Sequence, residues 1–115
     1  MVSAFNGQLA AALPAGTAGV LFVDAYALGQ DQAARPVLYQ LTNVTTPACD
    51  PARTAFASVI PPGSTPSVSI VCTPSTLIAG DTSRYLYADT VHLTPYGYQL
   101  LTDFVVERLA AQGWL

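Results

Sequence analysis

Gly19-Val20-Leu21-Phe22-Val23, followed by Asp24-Ala25-Tyr26, is the stretch whose reading decides the fold. Five consecutive positions carry no polar side chain, the pattern of a strand buried on both faces of a parallel sheet. In open α/β sheets ligands bind beyond the carboxyl ends of the strands, so the edge bearing Asp24 and Tyr26 is expected to face a site. Asp24 reads as a helix-capping or loop-fixing residue rather than a second catalytic carboxylate.

Outward from this run the chain alternates in kind. Residues 2–13 place Phe5, Leu9, Ala12 and Leu13 on one helical face, with Ser3 as a cap and Pro14-Ala15-Gly16 as the stop. Residues 31–40 read as a short helix with Pro36 near its first turn. Residues 42–81 are rich in Pro, Ser, Thr and Ala and include Pro61-Pro62-Gly63. They form a long irregular insertion in which Phe56, Val59, Ile60 and Ser69-Ile70-Val71-Cys72 can pack. Residues 84–87 make a short strand or extended approach. Residues 95–112 form the last helix, with Leu100, Leu101, Phe104, Val105 and Leu109 on its apolar face, Asp103 and Glu107 opposite, and Gly113 as its stop. This order fits the end of a flavodoxin-like, doubly wound α/β sheet. One good strand and one short one do not make a parallel sheet, however. Standing alone, residues 20–23 would leave backbone donors and acceptors open on both edges, so self-association or a partner is expected.

Composition narrows the function. At 115 residues the chain is at most one domain. Its 51% hydrophobic and 10% charged content argues against disorder. The net charge is −3, with four Arg and no Lys, which leaves no electrostatic footprint for nucleic acid or an anionic membrane. Residues 9–28 are nearly uncharged, but Pro14, Gly16, Gly19 and Asp24 argue against a membrane helix. No basic segment followed by an apolar run marks a signal peptide. Cys49 and Cys72 lack metal-ligand spacing, leaving a disulfide or two buried thiols. The bridge is favoured because the long loop between them needs a constraint; closing it stabilises by roughly 3 kcal/mol on the chain-entropy account and implies an oxidising compartment.

The chemistry-bearing stretch is Asp89-Thr90-Val91-His92, followed by Leu93-Thr94-Pro95. His92 is the sole histidine. A carboxylate three residues before an imidazole can turn back and accept the Nδ1 proton, which fixes the tautomer and leaves Nε2 outward as a base. Thr94-Pro95 reads as a helix start, Thr as N-cap and Pro at the first position. The spacing alone favours a surface turn with a solvated His and a capping Asp.

The wider block, Tyr85-Leu86-Tyr87-Ala88-Asp89-Thr90-Val91-His92-Leu93-Thr94-Pro95-Tyr96-Gly97-Tyr98, resembles the last signature block of the SGNH hydrolases, the GDSL esterases and lipases. Leu93 stands where that pattern has Pro. Phe5-Asn6-x-x-Leu9, the 20–26 stretch and Leu41-Thr42-Asn43-Val44-Thr45-Thr46-Pro47-Ala48-Cys49 are similar to the secreted bacterial branch, so the resemblance spans essentially the whole chain. It implies the C-terminal part of a three-layer α/β/α hydrolase domain over residues 1–115, secreted or held at the bacterial surface or periplasm. It further implies His92 as general base and acid and Asp89 as its orienting carboxylate. Tyr26, Tyr87 and the Cys49–Cys72 loop become candidates for the substrate-binding wall, with ordinary packing the alternative for both tyrosines. The implied substrate is an ester or lipid, with no cofactor and no metal.

The family takes its nucleophile from a Gly-Asp-Ser block, which this sequence does not contain; Gly80-Asp81-Thr82-Ser83 follows no apolar strand. Asn43 reads as a loop residue rather than an oxyanion donor. The expectation is a chain carrying two triad members, the serine coming from an absent N-terminal part. Three other readings stand beside it: an acyltransferase to an alcohol acceptor, a non-catalytic interaction module, and a hydrolase using a local Ser83 or Ser58, although no strand–turn–helix elbow surrounds either serine.

Overall fold

The computed structural model describes residues 2–13, 17–50 and 72–115. In order, these form helix α1 (Val2–Ala12), helix α2 (Ala25–Ala34), a 3-10 turn at Pro36–Tyr39, a second at Pro74–Thr76, and helix α3 (Pro95–Ala111). The expected helix stop at Pro14-Ala15-Gly16 and the packing of Phe56, Val59, Ile60 and the 69–71 run lie outside the described residues, as does Ser58.

The 19–23 run is not a strand. Gly19 takes a left-handed φ of 75°, closing a turn in which the Val20 N–H donates to the Thr17 carbonyl. The half-buried Leu21, Phe22 and Val23 that follow have no neighbouring strand among the described residues. A strand exists only by pairing, and among the described residues pairing is confined to isolated bridges at Asn43 with Tyr85, Cys49 with Leu77 and Tyr87 with Leu93. The side-chain pattern of a buried strand is present without the ladder.

Helix α2 begins six residues before the expected start at Asp31. Asp24 caps it, accepting from the Ala27 N–H at 2.9 Å. The helix breaks before Pro36, which has no N–H to offer and disfavours helical backbone at the residue before it; Arg35 sits at φ −134°. Residues 36–39 therefore form a separate tight turn, ended by Gln40 in the left-handed region. Asp31 receives both the Arg35 guanidinium and the Tyr39 hydroxyl. The Tyr39 hydroxyl, with Arg35 second, holds the Asp31 carboxyl below its ordinary range.

Among the described residues the most deeply buried apolar side chains are Leu86, Cys49 and Ala48. Residues 42–49 run alongside 84–88: the Thr42, Ala48 and Cys49 N–H groups donate to the carbonyls of Arg84, Tyr87 and Ala88, and Leu86 N–H donates to Asn43. Ile78 N–H donates to Ala48 from the other side, where the Cys49–Cys72 bridge ties the chain across. The expected disulfide is thus present, with a Cα–Cα separation of 5.5 Å.

Helix α3 carries both expected terminal signals. Thr94 is its N-cap, Pro95 its first residue, and Gly113 (φ 72°) follows its last turn. Trp114 N–H donates to Leu109 and Gly113 N–H to Ala110, the paired closure of a Schellman end. Leu100, Leu101, Phe104, Val105 and Leu109 are half-buried, and α1 buries none of its side chains, leaving Phe5 64% exposed. Ser3 lies inside α1 rather than capping it. No helix among the described residues is long and apolar enough to cross a membrane.

One position ties the last helix to the core. Gly97 is buried, and a Cβ there would meet the Leu86 carbonyl oxygen at 2.6 Å and Leu93 Cβ at 3.1 Å. Alanine is intrinsically the better helix residue by ~1 kcal/mol, but overpacking costs ~1–3 kcal/mol. Gly97→Ala is expected to destabilise the protein, read as a lower denaturation midpoint, whereas Gly29→Ala in α2, with open space around it, should not.

Candidate active site

The Asp89–His92 loop is the tip of a tight reversal. Its base is closed by Ala88 N–H donating to the His92 carbonyl and by the Tyr87–Leu93 bridge. Beyond it, Thr94 N–H donates to Leu86, and the Thr94 hydroxyl donates to the Tyr85 carbonyl while accepting from Gly97 N–H. The loop is therefore held from below by the core and from behind by the first turn of α3.

Within the loop both oxygens of Asp89 are engaged. Oδ1 accepts from the backbone N–H groups of Val91 and His92, each at 2.7 Å. Oδ2 lies 2.9 Å from His92 Nδ1, which is also 3.3 Å from Oδ1. The first pair of bonds is an Asx turn that shapes the loop; the second leaves one oxygen for the imidazole. The Asp89 side chain is 2% exposed and that of His92 52%. Burial alone would raise the Asp89 carboxyl, but the bonds from His92 N–H, Val91 N–H and the His92 ring outweigh it, and the carboxyl sits below its ordinary value. The carboxylate stays ionised at neutral pH and accepts a hydrogen bond from Nδ1 of a half-exposed ring.

The other expected site residues are placed as follows. Tyr87 is half-buried at the base of the loop, its carbonyl bound by Ala48 N–H. Tyr26 lies in the first turn of α2, 41% exposed, with no hydrogen bond or ring contact to the Asp89–His92 loop. Asn43 is a loop residue, its side-chain oxygen accepting from Thr45 and Thr46 N–H. Ser83 is exposed, and both its N–H and its hydroxyl bind Asp81, whose carboxyl is held down chiefly by that hydroxyl. No serine of the described residues is bonded to His92. Among those residues, no group of His, Cys, Asp and Glu is arranged to hold a metal ion.

Two contributors to the site were not read from the sequence. The Thr94 bond to Tyr85 has no sequence signal, because it depends on where the 84–88 segment passes. Gly97 had one: a glycine in the first turn of an otherwise good helix, which suggests close approach by another part of the chain.

No protein-family model, curated protein or solved structure matches this chain.

Two outcomes follow for Asp89. Because its folded value is depressed, the stability it contributes is complete above its ordinary value of 3.8 and is lost as pH falls through the folded value. Asp89→Asn should remove that part of the acid dependence, measured as denaturant midpoints at neutral and acid pH. In nitrogen NMR, neutral His92 should carry its proton on Nδ1 in the native protein. In Asp89→Asn the side-chain NH2 faces Nδ1, and the proton should move to Nε2.

Proposed function

We propose that this chain supplies the imidazole and carboxylate of an SGNH-type serine esterase or lipase, whose nucleophile lies outside this sequence. The observation that carries the reading is a nearly fully buried carboxylate with one oxygen 2.9 Å from Nδ1 of a half-exposed imidazole. A solvated surface histidine needs no buried acceptor, and a turn-forming Asp needs no second oxygen reserved for a ring nitrogen.

On this reading a serine hydroxyl attacks the ester carbonyl while Nε2 of His92 takes its proton. The imidazolium, steadied by Asp89, then gives that proton to the departing alcohol, leaving an acyl-enzyme. Water resolves the acyl-enzyme by the same route in reverse roles. Asp89 remains ionised throughout, in keeping with its lowered carboxyl value. The uncovered apolar side chains of α1 and the unpaired 20–23 run suit a chain that completes a doubly wound α/β sheet with the part bearing the serine. The Cys49–Cys72 bridge suits secretion or a periplasmic or surface location.

The experiment is reconstitution. Alone, the 115-residue chain should not hydrolyse p-nitrophenyl butyrate above background. Joined to the Gly-Asp-Ser-bearing segment encoded upstream in its reading frame, it should, and His92→Ala should lower kcat by ~10^3-fold or more, with Asp89→Asn lowering it by up to ~10^4-fold. Hydrolysis that survives His92→Ala, or a reading frame with no such segment, overturns the proposal.

The same reading sets the solution state. Light scattering of the chain alone should show association, which the serine-bearing segment relieves. A compact monomer at high concentration with a cooperative melt would contradict the pairing role assigned to residues 20–23.

A further inference from the structure

The Ala88 peptide stands between the disulfide and the Asp89–His92 pair. Its carbonyl oxygen accepts from Cys49 N–H at 2.9 Å and lies 3.6 Å from Cys72 Sγ. A bridged sulfur has no proton to donate, so the second contact is one of packing. The Ala88 N–H donates to the His92 carbonyl, and Asp89 follows directly in the chain. The residue before is held in the same way, the Tyr87 carbonyl accepting from Ala48 N–H. Both half-cystines therefore bear on the peptide from which the Asp89–His92 loop springs.

The two sulfurs have different surroundings. Cys49 is 1% exposed, with the Thr76 hydroxyl 3.7 Å from its Sγ. Cys72 is half-buried and lines a cleft of about 440 Å³ between the disulfide segment and the start of α3. The cleft admits a small thiol to Cys72, whereas the burial of Cys49 denies it an approach. Opening the bridge leaves two separate thiols where one bond had joined them, and a close-packed interior has little room for the change. The groups that must give way are those beside the sulfurs, the Thr76 hydroxyl and the Ala88 carbonyl. Any shift of the Ala88 peptide passes to the base of the loop, above which Oδ2 of Asp89 and Nδ1 of His92 have to stay 2.9 Å apart.

We propose that the Cys49–Cys72 bridge is a redox switch of the Asp89–His92 pair: closed, it holds the carboxylate against Nδ1, and opened by a dithiol, it lets the two part. A thiolate of the reductant attacks Cys72 Sγ and bonds to it, while Cys49 leaves as a thiolate and takes up a proton. The reductant's second thiolate then displaces Cys72, which is protonated in turn. Two electrons and two protons pass to the protein, and the dithiol ends as its own disulfide. Oxidising surroundings keep the pair assembled; a dithiol disassembles it. The regulatory meaning rests on the esterase reading, but the coupling of bridge to ring can be read without catalysis.

The probe is dithiothreitol, added to the nitrogen-15-labelled 115-residue chain at a pH where the His92 ring is neutral. Ring NMR is the readout, with thiols counted by mass after alkylation. The bridged chain should carry the ring proton on Nδ1. Reduction should move it to Nε2 while the amide signals of α2 stay in place, and reoxidation should return it. A chain with both Cys49→Ala and Cys72→Ala should show the reduced-state ring without any reductant. Brief exposure to 2-mercaptoethanol should leave its mixed disulfide on Cys72. An unchanged ring with both thiols counted overturns the proposal. So does loss of the α2 signals together with those of the loop, which would make the bridge a general staple, and so does a mixed disulfide on Cys49. In the reconstituted protein, reduction followed by removal of the reductant should lower kcat on p-nitrophenyl butyrate ~10-fold or more with KM little changed, and should have no further effect on Asp89→Asn. Hydrolysis that depends on His92 but ignores reduction would sink the switch and leave the esterase reading standing. A ring that responds to reduction in a protein without His92-dependent hydrolysis would sink the esterase reading and keep the coupling.

Discussion

Thr94 is the joint on which the described structure depends. Its N–H is bonded to Leu86, its hydroxyl to Tyr85, and the same hydroxyl accepts the otherwise orphaned Gly97 N–H at the start of α3. Three bonds from one residue fasten a seventeen-residue helix to the segment that carries the core. Gly97 completes the joint by its lack of a side chain, letting the first turn come against the Leu86 carbonyl. Replace either residue and α3 must move away from the loop that precedes it. That loop contains Asp89 and His92, so the position of the imidazole is inherited from the packing of a helix end.

Asp89 shows how one buried carboxylate can be structural and chemical together. Its bonds to Val91 and His92 N–H satisfy donors that a tight loop would leave open, and these bonds also keep it ionised despite burial. The charge that results is a fixed acceptor beside Nδ1. An arrangement that used both oxygens for the backbone would stabilise the loop equally well and do nothing for the ring. The geometry at Oδ2 therefore weighs toward chemistry, where the loop geometry at Oδ1 is neutral between the two readings.

The local features were legible in the sequence because their causes are local. Thr94-Pro95 and Gly113 delimit α3, Asp24 caps α2, and the three-residue spacing of Asp89 and His92 brings carboxylate and imidazole together within a single turn. Each depends on hydrogen bonds reaching three to five residues along the chain. The reading failed where the same local rules were misweighted: residues 31–40 are not one helix, because Pro36 has no N–H to offer and ends the helix before it. The 19–23 run failed for a different reason. Its side chains state what environment they suit, but a strand is a relation between two segments.

The sequence by itself determined the ends of α3, the pairing of Asp89 with His92 and the lack of any charge pattern suited to nucleic acid, since each follows from residue type and short spacing. Tertiary structure alone decided that residues 42–49 lie along 84–88, that Thr94 reaches the Tyr85 carbonyl, and that Gly97 rests on Leu86. These contacts join residues far apart in the chain or placed by others that are. Their geometry is set by how the segments pack, and no spacing along the chain encodes it.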